Sequence, residues 1–391
     1  MDTLALSTRA SLLRPSPTLS ITGRANAMRE QGKDVISFAA GEPDFRTPEP
    51  ICEAAIQAIR DGFTRYTPSA GIAPLREAIA AKLERENALT VSPADVVVSC
   101  GAKHSVYNTL QVLAEAGDEV ILIAPYWMTY ADQIRLAGAT PVVVRANASS
   151  GFTPDIGDLK AAVSPKTKAI IVNSPSNPTG AMYSRELLSE IVDLAHHHGF
   201  WVISDEIYDR LTYGSEHISV ASLGEQAKSH TVTIGGCSKS YAMTGWRIGF
   251  AAAPSPVARA MSNFQDQVTS NPTSFAQKGA VIAFGLAADV IGAMRTEFQA
   301  RRDLIVRLIN EVPGLSLKAP SGAFYAFVDA SAYMGGDDAR LAEHLLESAG
   351  VATIPGSVFE GPGYLRMSYA TSREQIQAGV ARIAEALDRL R

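Results

Sequence analysis

The sequence predicts an α/β fold, a parallel sheet wrapped by helices and followed by a smaller α+β domain. Two observations predict it. In the middle of the chain, short apolar runs rich in β-branched residues alternate with helical patterns. Continuous apolar runs of that length are strands buried on both faces, which is how parallel sheets read. Towards the C-terminus the pattern changes to a long helix and short strands in pairs, which reads as α+β. The 391 residues are enough for two packed domains.

The elements run in order along the chain. Asp95 to Ser99 (DVVVS) reads as a strand and Ala102 to Glu115 as a helix. Glu119 to Ile123 is the next strand, followed by a helix near Thr129 to Leu136. Further strands are expected at Pro141 to Val144, Ala169 to Asn173, Trp201 to Ser204, Thr231 to Ile234 and Arg247 to Ala251, with a helix at Arg185 to His197. A long helix of about Gly285 to Asn310 opens the C-terminal part. Short strands come next at Leu315 to Lys318, Ala323 to Val328, Val351 to Ile354 and Tyr364 to Ser368, then a terminal helix. Nothing in the sequence says where the first forty residues pack.

Composition narrows the class. Hydrophobic residues make up 46% and charged residues 19%, as in ordinary globular proteins. A net charge of -5 gives no reason to expect nucleic acid or a membrane surface as partner. The cysteines Cys52, Cys100 and Cys237 are odd in number and widely spaced. They form no disulfide framework and no C-x-x-C pair, which points to a reducing cytosol. Apolar runs such as Glu119 to Pro125 are too short to span a bilayer. The opening Met-Asp does not predict a secretory signal. Ser7 to Arg14 is basic and hydroxyl-rich like a transit peptide, but the residues after Arg14 read as folded protein.

In parallel sheets, ligands bind beyond the carboxyl ends of the strands, and the polar clusters lie there. Lys239 follows a strand in GGCSKSYAMTGWRIG. A lysine at that edge suits a Schiff-base role once desolvation or a nearby cation lowers its pKa. Alone, it reads more readily as a solvated loop lysine beside a structural arginine. Arg247, eight residues on, suits a phosphate. Asp205 ends an apolar strand, where a buried carboxylate needs a cation such as a protonated pyridine nitrogen; otherwise it is a helix N-cap. Tyr208 is placed to reach the ring's phenolic oxygen. Asn177, in the turn-rich NSPSNPTG, offers an amide to that oxygen and to a carboxylate. Gly101, Ala102 and Lys103 join a strand to a helix, where backbone N–H groups cradle phosphate. Trp127 is a flat partner for a ring or a core aromatic. Arg366, among apolar residues in a strand, wants an anion unless it faces solvent at an edge. The run His196 to His198 tempts a metal reading, but consecutive helical residues point apart, so it reads as a helix end before Gly199.

Together these residues are recognisable. With Arg14-Pro15-Ser16-Pro17-Thr18, Gly41-Glu42-Pro43-Asp44-Phe45, Tyr66 and Ala70-Gly71-Ile72, the chain resembles the fold-type I enzymes dependent on pyridoxal 5'-phosphate (PLP). It is most similar to class I/II aminotransferases of the bacterial aspartate and aspartate/prephenate subgroup. The resemblance covers nearly the whole chain, and the run SKSYAMTGWRIG is its most specific part.

The resemblance implies a mostly parallel, mixed seven-stranded sheet in a large PLP-binding domain of residues 46–290. It implies a small domain made by both chain ends, 1–45 and 291–391. Lys239 would carry PLP and move the proton at the substrate α-carbon. Asp205 would pair with the pyridine nitrogen, Tyr208 and Asn177 would bond the ring oxygen, and Trp127 would stack on the ring. Arg247, Ser238 and the backbone of Gly101, Ala102 and Lys103 would hold the phosphate. Tyr66 would reach the phosphate of a neighbouring subunit, which implies a homodimer. Arg366, Asn177 and the Gly41 backbone would hold the α-carboxylate, with Trp127 beside it. Lys103, Ser16 and Thr18 would take the side-chain carboxylate of aspartate or glutamate, and Arg14 would go with acceptance of prephenate. One departure stands out: many relatives carry a phosphate-binding serine where this chain has Gly236. Either the phosphate grip is then looser, or Ser238 and water compensate.

Other classes compete. An aminotransferase of other specificity, or a C–S lyase, would share Lys239, Asp205 and Arg366 on the same fold. A non-catalytic binding domain like those in some transcription regulators is disfavoured by the intact Lys239 and the lack of a basic patch. A dehydrogenase is disfavoured because no G-x-G-x-x-G follows the first strand.

Overall fold

The computed structural model describes residues 6–13 and 15–390. Its centre is a seven-stranded sheet. In chain order the strands are β1 (Ile36–Ser37), β2 (Val96–Ser99), β3 (Glu119–Ala124), β4 (Thr140–Arg145), β5 (Thr167–Asn173), β6 (Trp201–Asp205), β7 (Thr231–Gly236), β8 (Gly249–Ala252), β9 (Tyr325–Asp329), β10 (Val351–Ala352), β11 (Ile354–Pro355) and β12 (Tyr364–Ser368). The large sheet runs β2-β8-β7-β6-β5-β3-β4. Only β8 is antiparallel to its neighbours, β2 and β7. The loop entering β8 therefore lies at the same edge as the ends of the parallel strands.

The continuous apolar strands divide their side chains between two faces. Val120, Leu122, Ala169 and Ile171 pack with Val106 and Leu110 of the helix Ala102–Leu113. Ile121, Ile123, Ile170 and Val172 pack instead with Leu187, Leu188 and Ile191 of the helix Arg185–His198. That helix starts on Ser184, whose hydroxyl accepts from Leu187 N, and stops at Gly199 with φ 73°. The three histidines before the stop are exposed. His196 packs edge-on to His230, while His197 and His198 meet each other.

The structure departs from expectation most clearly in four places. Gly285 ends the helix Ser274–Gly285 rather than opening the next one. Leu286 and Ala287 are extended, and the long helix is Ala288–Asn310. Leu315 to Lys318 forms no strand beyond one bridge, Ser316 to Asp329. The reason is local: the Asn310 amide bonds both Leu317 N and Leu317 O, at 2.9 and 3.0 Å, and takes the groups a ladder would use. Val351 to Ile354 splits between two sheets, with β10 pairing β1 and β11 pairing β12. Arg247 is not in a strand; its φ is 55°, and β8 begins at Gly249.

The pairing of β1 with β10 answers where the start of the chain goes: it joins the C-terminal part. The second sheet, β11-β12-β9, is antiparallel and sits beside the ligand edge of the large one, carrying Tyr325 and Arg366. No single helix among the described residues is long and apolar enough to cross a membrane.

Candidate active site

A cavity of about 390 Å³ opens where β5, β6 and β7 end, between them and the segment 39–42. Lys239 stands in it, three residues past the end of β7. Its Nζ donates to the Gly41 carbonyl. Burial lowers its pKa to about 8; Glu42 opposes the shift, and Arg366 and Arg247 add to it. An amine in that range is available as a nucleophile near neutral pH.

Asp205, the last residue of β6, is 3% exposed. Its Oδ2 accepts from the Tyr130 hydroxyl at 2.6 Å and its Oδ1 from Ile207 N at 3.2 Å. It makes no ion pair among the described residues, and burial raises its pKa to about 6. A carboxylate in this state gains from any cation brought to it. Asn173 braces the strand ends: its Nδ2 donates to Asp205 O, and its Oδ1 accepts from Asn177 N, both at 2.9 Å.

At the start of the helix Ala102–Leu113, Gly101 takes φ 89° as N-cap. A Cβ there would collide with the Arg247 guanidinium, and one at Gly249 would collide with Ala102 N. Glycine keeps this corner open for backbone N–H groups to meet an anion. Arg247 donates to Thr244 O at 2.8 Å and to Cys100 O at 3.3 Å. Ser238 lines the same cavity.

Arg366 is 3% exposed and lies between the Tyr325 and Phe359 rings, at 4.5 and 4.9 Å. Nη1 donates to Asn177 Oδ1 at 3.0 Å and Nη2 to Ala39 O at 3.1 Å, while Nε has no partner among the described residues. In the same cavity, Lys103 Nζ sits 4.8 Å over the Trp127 ring. Burial lowers the Lys103 pKa, Arg247 adds to this, and Asp132 opposes it. Ser16 and Thr18 also line the cavity, with their hydroxyls 2.8 Å apart.

Lys239, Asp205, Tyr208, Asn177, Trp127, Arg247, Ser238, Ala102, Lys103, Arg366, Gly41, Ser16 and Thr18 thus meet in one cavity, with Gly101 at its edge. Tyr66 does not join them; it is 91% exposed. Arg14 lies outside the described residues. The expected weakness at Gly236 has a steric cause. A Cβ there would sit 2.9 Å from Gly249 Cα and from Ile248 O, so serine does not fit this strand pair without backbone movement.

Tyr130, Tyr325, Glu42 and Thr244 were not anticipated as site residues, yet all four line the cavity. Neither tyrosine carries a local signal: Tyr130 lies in the first turn of the helix Thr129–Leu136 and Tyr325 begins β9, and an aromatic in either place reads as core.

Lys103, Lys239, Arg247 and Arg366 line one cavity, and none makes an ion pair among the described residues. Two carboxylates, Glu42 and Asp205, face them. An amine of lowered pKa, a buried carboxylate lacking a cation and a glycine-lined anion corner fit the aldehyde, pyridine nitrogen and phosphate of PLP. Comparison with known proteins agrees. The family model for aminotransferase class I and II matches residues 33–383. The chain is 46% identical to a probable aspartate/prephenate aminotransferase of Aquifex aeolicus, over 98% of this chain and 99% of that protein. It is 42% identical to the aspartate/prephenate aminotransferase of Thermus thermophilus, with coverage of 98% and 99%. The solved Thermus thermophilus aspartate aminotransferase with maleate superposes with a TM-score of 0.95 at 42% identity, covering 98% of this chain and 100% of that one. Match and cavity lead to the same place, and the chain belongs to the PLP-dependent class I and II aminotransferases.

Proposed function

We propose that the protein moves the amino group of L-aspartate, and also of glutamate, to 2-oxoglutarate or another 2-oxo acid, with prephenate as a further acceptor. The observation that carries this reading is a pair of cations lining one cavity, Arg366 and Lys103, neither in an ion pair among the described residues, together with the corner that suits phosphate. Two such cations in one cavity select a dicarboxylate over a neutral amino acid. The names of the relatives from Aquifex aeolicus and Thermus thermophilus support it.

PLP, when bound, supplies an aldehyde for the amine and an electron sink for the α-carbon. Lys239 would hold it, and Lys239 Nζ would take the proton from the substrate α-carbon as general base and return it. Asp205 would pair with the ring nitrogen and keep it protonated. Arg247, Ser238 and the N–H groups from Gly101 to Lys103 would bind the phosphate, and Trp127 would stack on the ring. Tyr208 and Asn177 would donate to the ring oxygen. Arg366, Asn177 and Gly41 orient the α-carboxylate, while Lys103, Ser16 and Thr18 receive the distal one. Arg14 belongs with the prephenate part of the reading. The exposure of Tyr66 supports its reaching the site of a second copy in a homodimer. The divisions 46–290, and 1–45 with 291–391, are supported by the pairing of β1 with β10. The free cysteines support a cytoplasmic setting.

The test is spectral. Aspartate should move the visible band of the protein carrying PLP, and 2-oxoglutarate should bring it back. A band moved by neutral or aromatic amino acids but not by aspartate overturns the substrate assignment. Release of ammonia and pyruvate would favour a lyase instead. Lys103→Ala should raise the KM for aspartate roughly tenfold, the loss of about one charge-assisted bond. An unchanged KM removes Lys103 from the assignment.

A further inference from the structure

Tyr325 lies at the meeting of the two sheets. It begins β9 in the antiparallel sheet, yet its hydroxyl is 3.0 Å from that of Tyr208, three residues past the end of β6 in the large sheet. It is 1% exposed and lines the cavity. Its ring carries the Arg366 guanidinium, and its hydroxyl sits where a Cβ on Gly41 would come within 3.3 Å. One side chain therefore touches the residue facing the ring oxygen, the residue facing the α-carboxylate and the segment that holds Lys239.

Among the described residues, the Tyr208 hydroxyl is the only hydrogen-bond partner of the Tyr325 hydroxyl, and the reverse also holds. Burial raises the pKa of both phenols, so both carry their protons. One contact between two hydroxyls uses one proton. If Tyr208 donated to Tyr325, the Tyr325 proton would be left without an acceptor in a closed site, which is costly. If Tyr325 donates to Tyr208, the Tyr208 proton stays free to face the cavity. Only the second arrangement satisfies both groups once an acceptor lies beside Tyr208.

We infer that Tyr325 is a positioning residue that acts through Tyr208: its hydroxyl donates to the Tyr208 oxygen and so commits the Tyr208 proton to the ring oxygen of bound PLP. This rests on the PLP reading given above. A donor that is itself polarised by a second donor binds more strongly. It therefore holds negative charge on the ring oxygen, and the adjoining nitrogen supplied by Lys239 gives up its proton at lower pH.

The experiment is a visible pH titration of the PLP-loaded protein as wild type, Tyr325→Phe, Tyr208→Phe and the double variant. Tyr325→Phe keeps the ring and its contact with Arg366. Its titration midpoint should rise by roughly 0.5 to 1 pH unit, the worth of one ordinary hydrogen bond. Tyr208→Phe should raise the midpoint more, and adding Tyr325→Phe to it should raise it no further. Thermal unfolding is followed in parallel, since a purely structural role would lower stability and leave the midpoint in place. An unmoved or lowered midpoint in Tyr325→Phe overturns the inference, and so does an equal shift with or without Tyr208. If the wild type shows no visible band, or Lys239→Ala leaves the band in place, the PLP reading fails instead.

Discussion

Asp205 and Glu206 are neighbours in sequence, both acidic, both 3% exposed, and they are served in opposite ways. Asp205 points to the cavity and receives one phenol and one backbone N–H. Glu206 points away and receives five donors. Its Oε1 accepts from Ser204 and Ser219 at 2.9 Å and from Val220 N at 3.1 Å. Its Oε2 meets His217 at 2.9 Å and Asn87 at 3.4 Å. Three residues further on, Asp209 faces the same way as Glu206. Burial alone would raise its pKa, but Lys82, which bonds it directly, His217 and Arg210 outweigh burial and hold it low. One turn thus carries carboxylates that the protein has completed and one that it has left open. Structural groups are satisfied by the fold; the group left short of a partner faces the ligand.

The largest expected effect breaks the open member. Asp205→Asn should lower the rate at least 10²-fold, because the ring nitrogen loses its charge partner. It should also make the protein without PLP more stable at pH 7, by about 2 kcal/mol. The sign comes from the raised value near 6. Between the ordinary carboxylate value and 6, the folded protein holds a proton that the unfolded chain has lost. The contribution to stability is full at low pH and disappears as pH rises through 6. The variant should lack that slope. Denaturant unfolding of PLP-free protein from pH 4 to 7 tests it, and identical slopes in both proteins would refute the assignment.

Glu206→Ala is the counterpart. Removing the centre of a completed network strands His217, Ser204, Ser219 and Val220 N, and should cost roughly 3 kcal/mol of stability. The rate of the protein that remains folded should change only a few-fold. A loss of rate as large as in Asp205→Asn would mean that both carboxylates serve the chemistry.

Lys239 extends the contrast to a base. Its pKa of about 8 arises chiefly from burial, so the uncharged amine appears two to three pH units earlier than for a free lysine. The rate at which PLP-free protein develops its visible band when PLP is added should reach half its limit near pH 8. A midpoint near 10 would show that burial does not act on Lys239 in solution.

How much of the molecule is legible in the sequence depends on what each residue's neighbours do. The strands of the large sheet can be read because they are short, largely apolar runs rich in β-branched residues, and the site residues Lys239, Asp205 and Asn177 because they lie where such strands end. The strand expected at Leu315 to Lys318 fails because one side chain, Asn310, captures the backbone of Leu317 from across a turn. Arg247 reads as a strand residue because β8 follows it closely, yet its backbone is left-handed and the strand begins only at Gly249, which packs against Ala102. The donors to Asp205 and Tyr208 escape for the same reason. Tyr130 and Tyr325 come from elements distant in sequence, and local pattern cannot report contacts made by folding.

The smallest effects refine the comparison donor by donor. Tyr130→Phe removes one of the two donors to Asp205 and keeps the ring against Trp127. The Asp205 carboxyl should then rise above its present value, and PLP should bind about three- to tenfold more weakly, the worth of one hydrogen bond. Ser219→Ala removes one of the five donors to Glu206. It should cost about 1 kcal/mol in unfolding and leave PLP affinity unchanged. Both deletions take away one hydroxyl from a buried carboxyl, so their difference isolates where each carboxyl points. Equal losses of PLP affinity in the two variants would show that the turn responds as a unit and that Asp205 is not set apart from its neighbour.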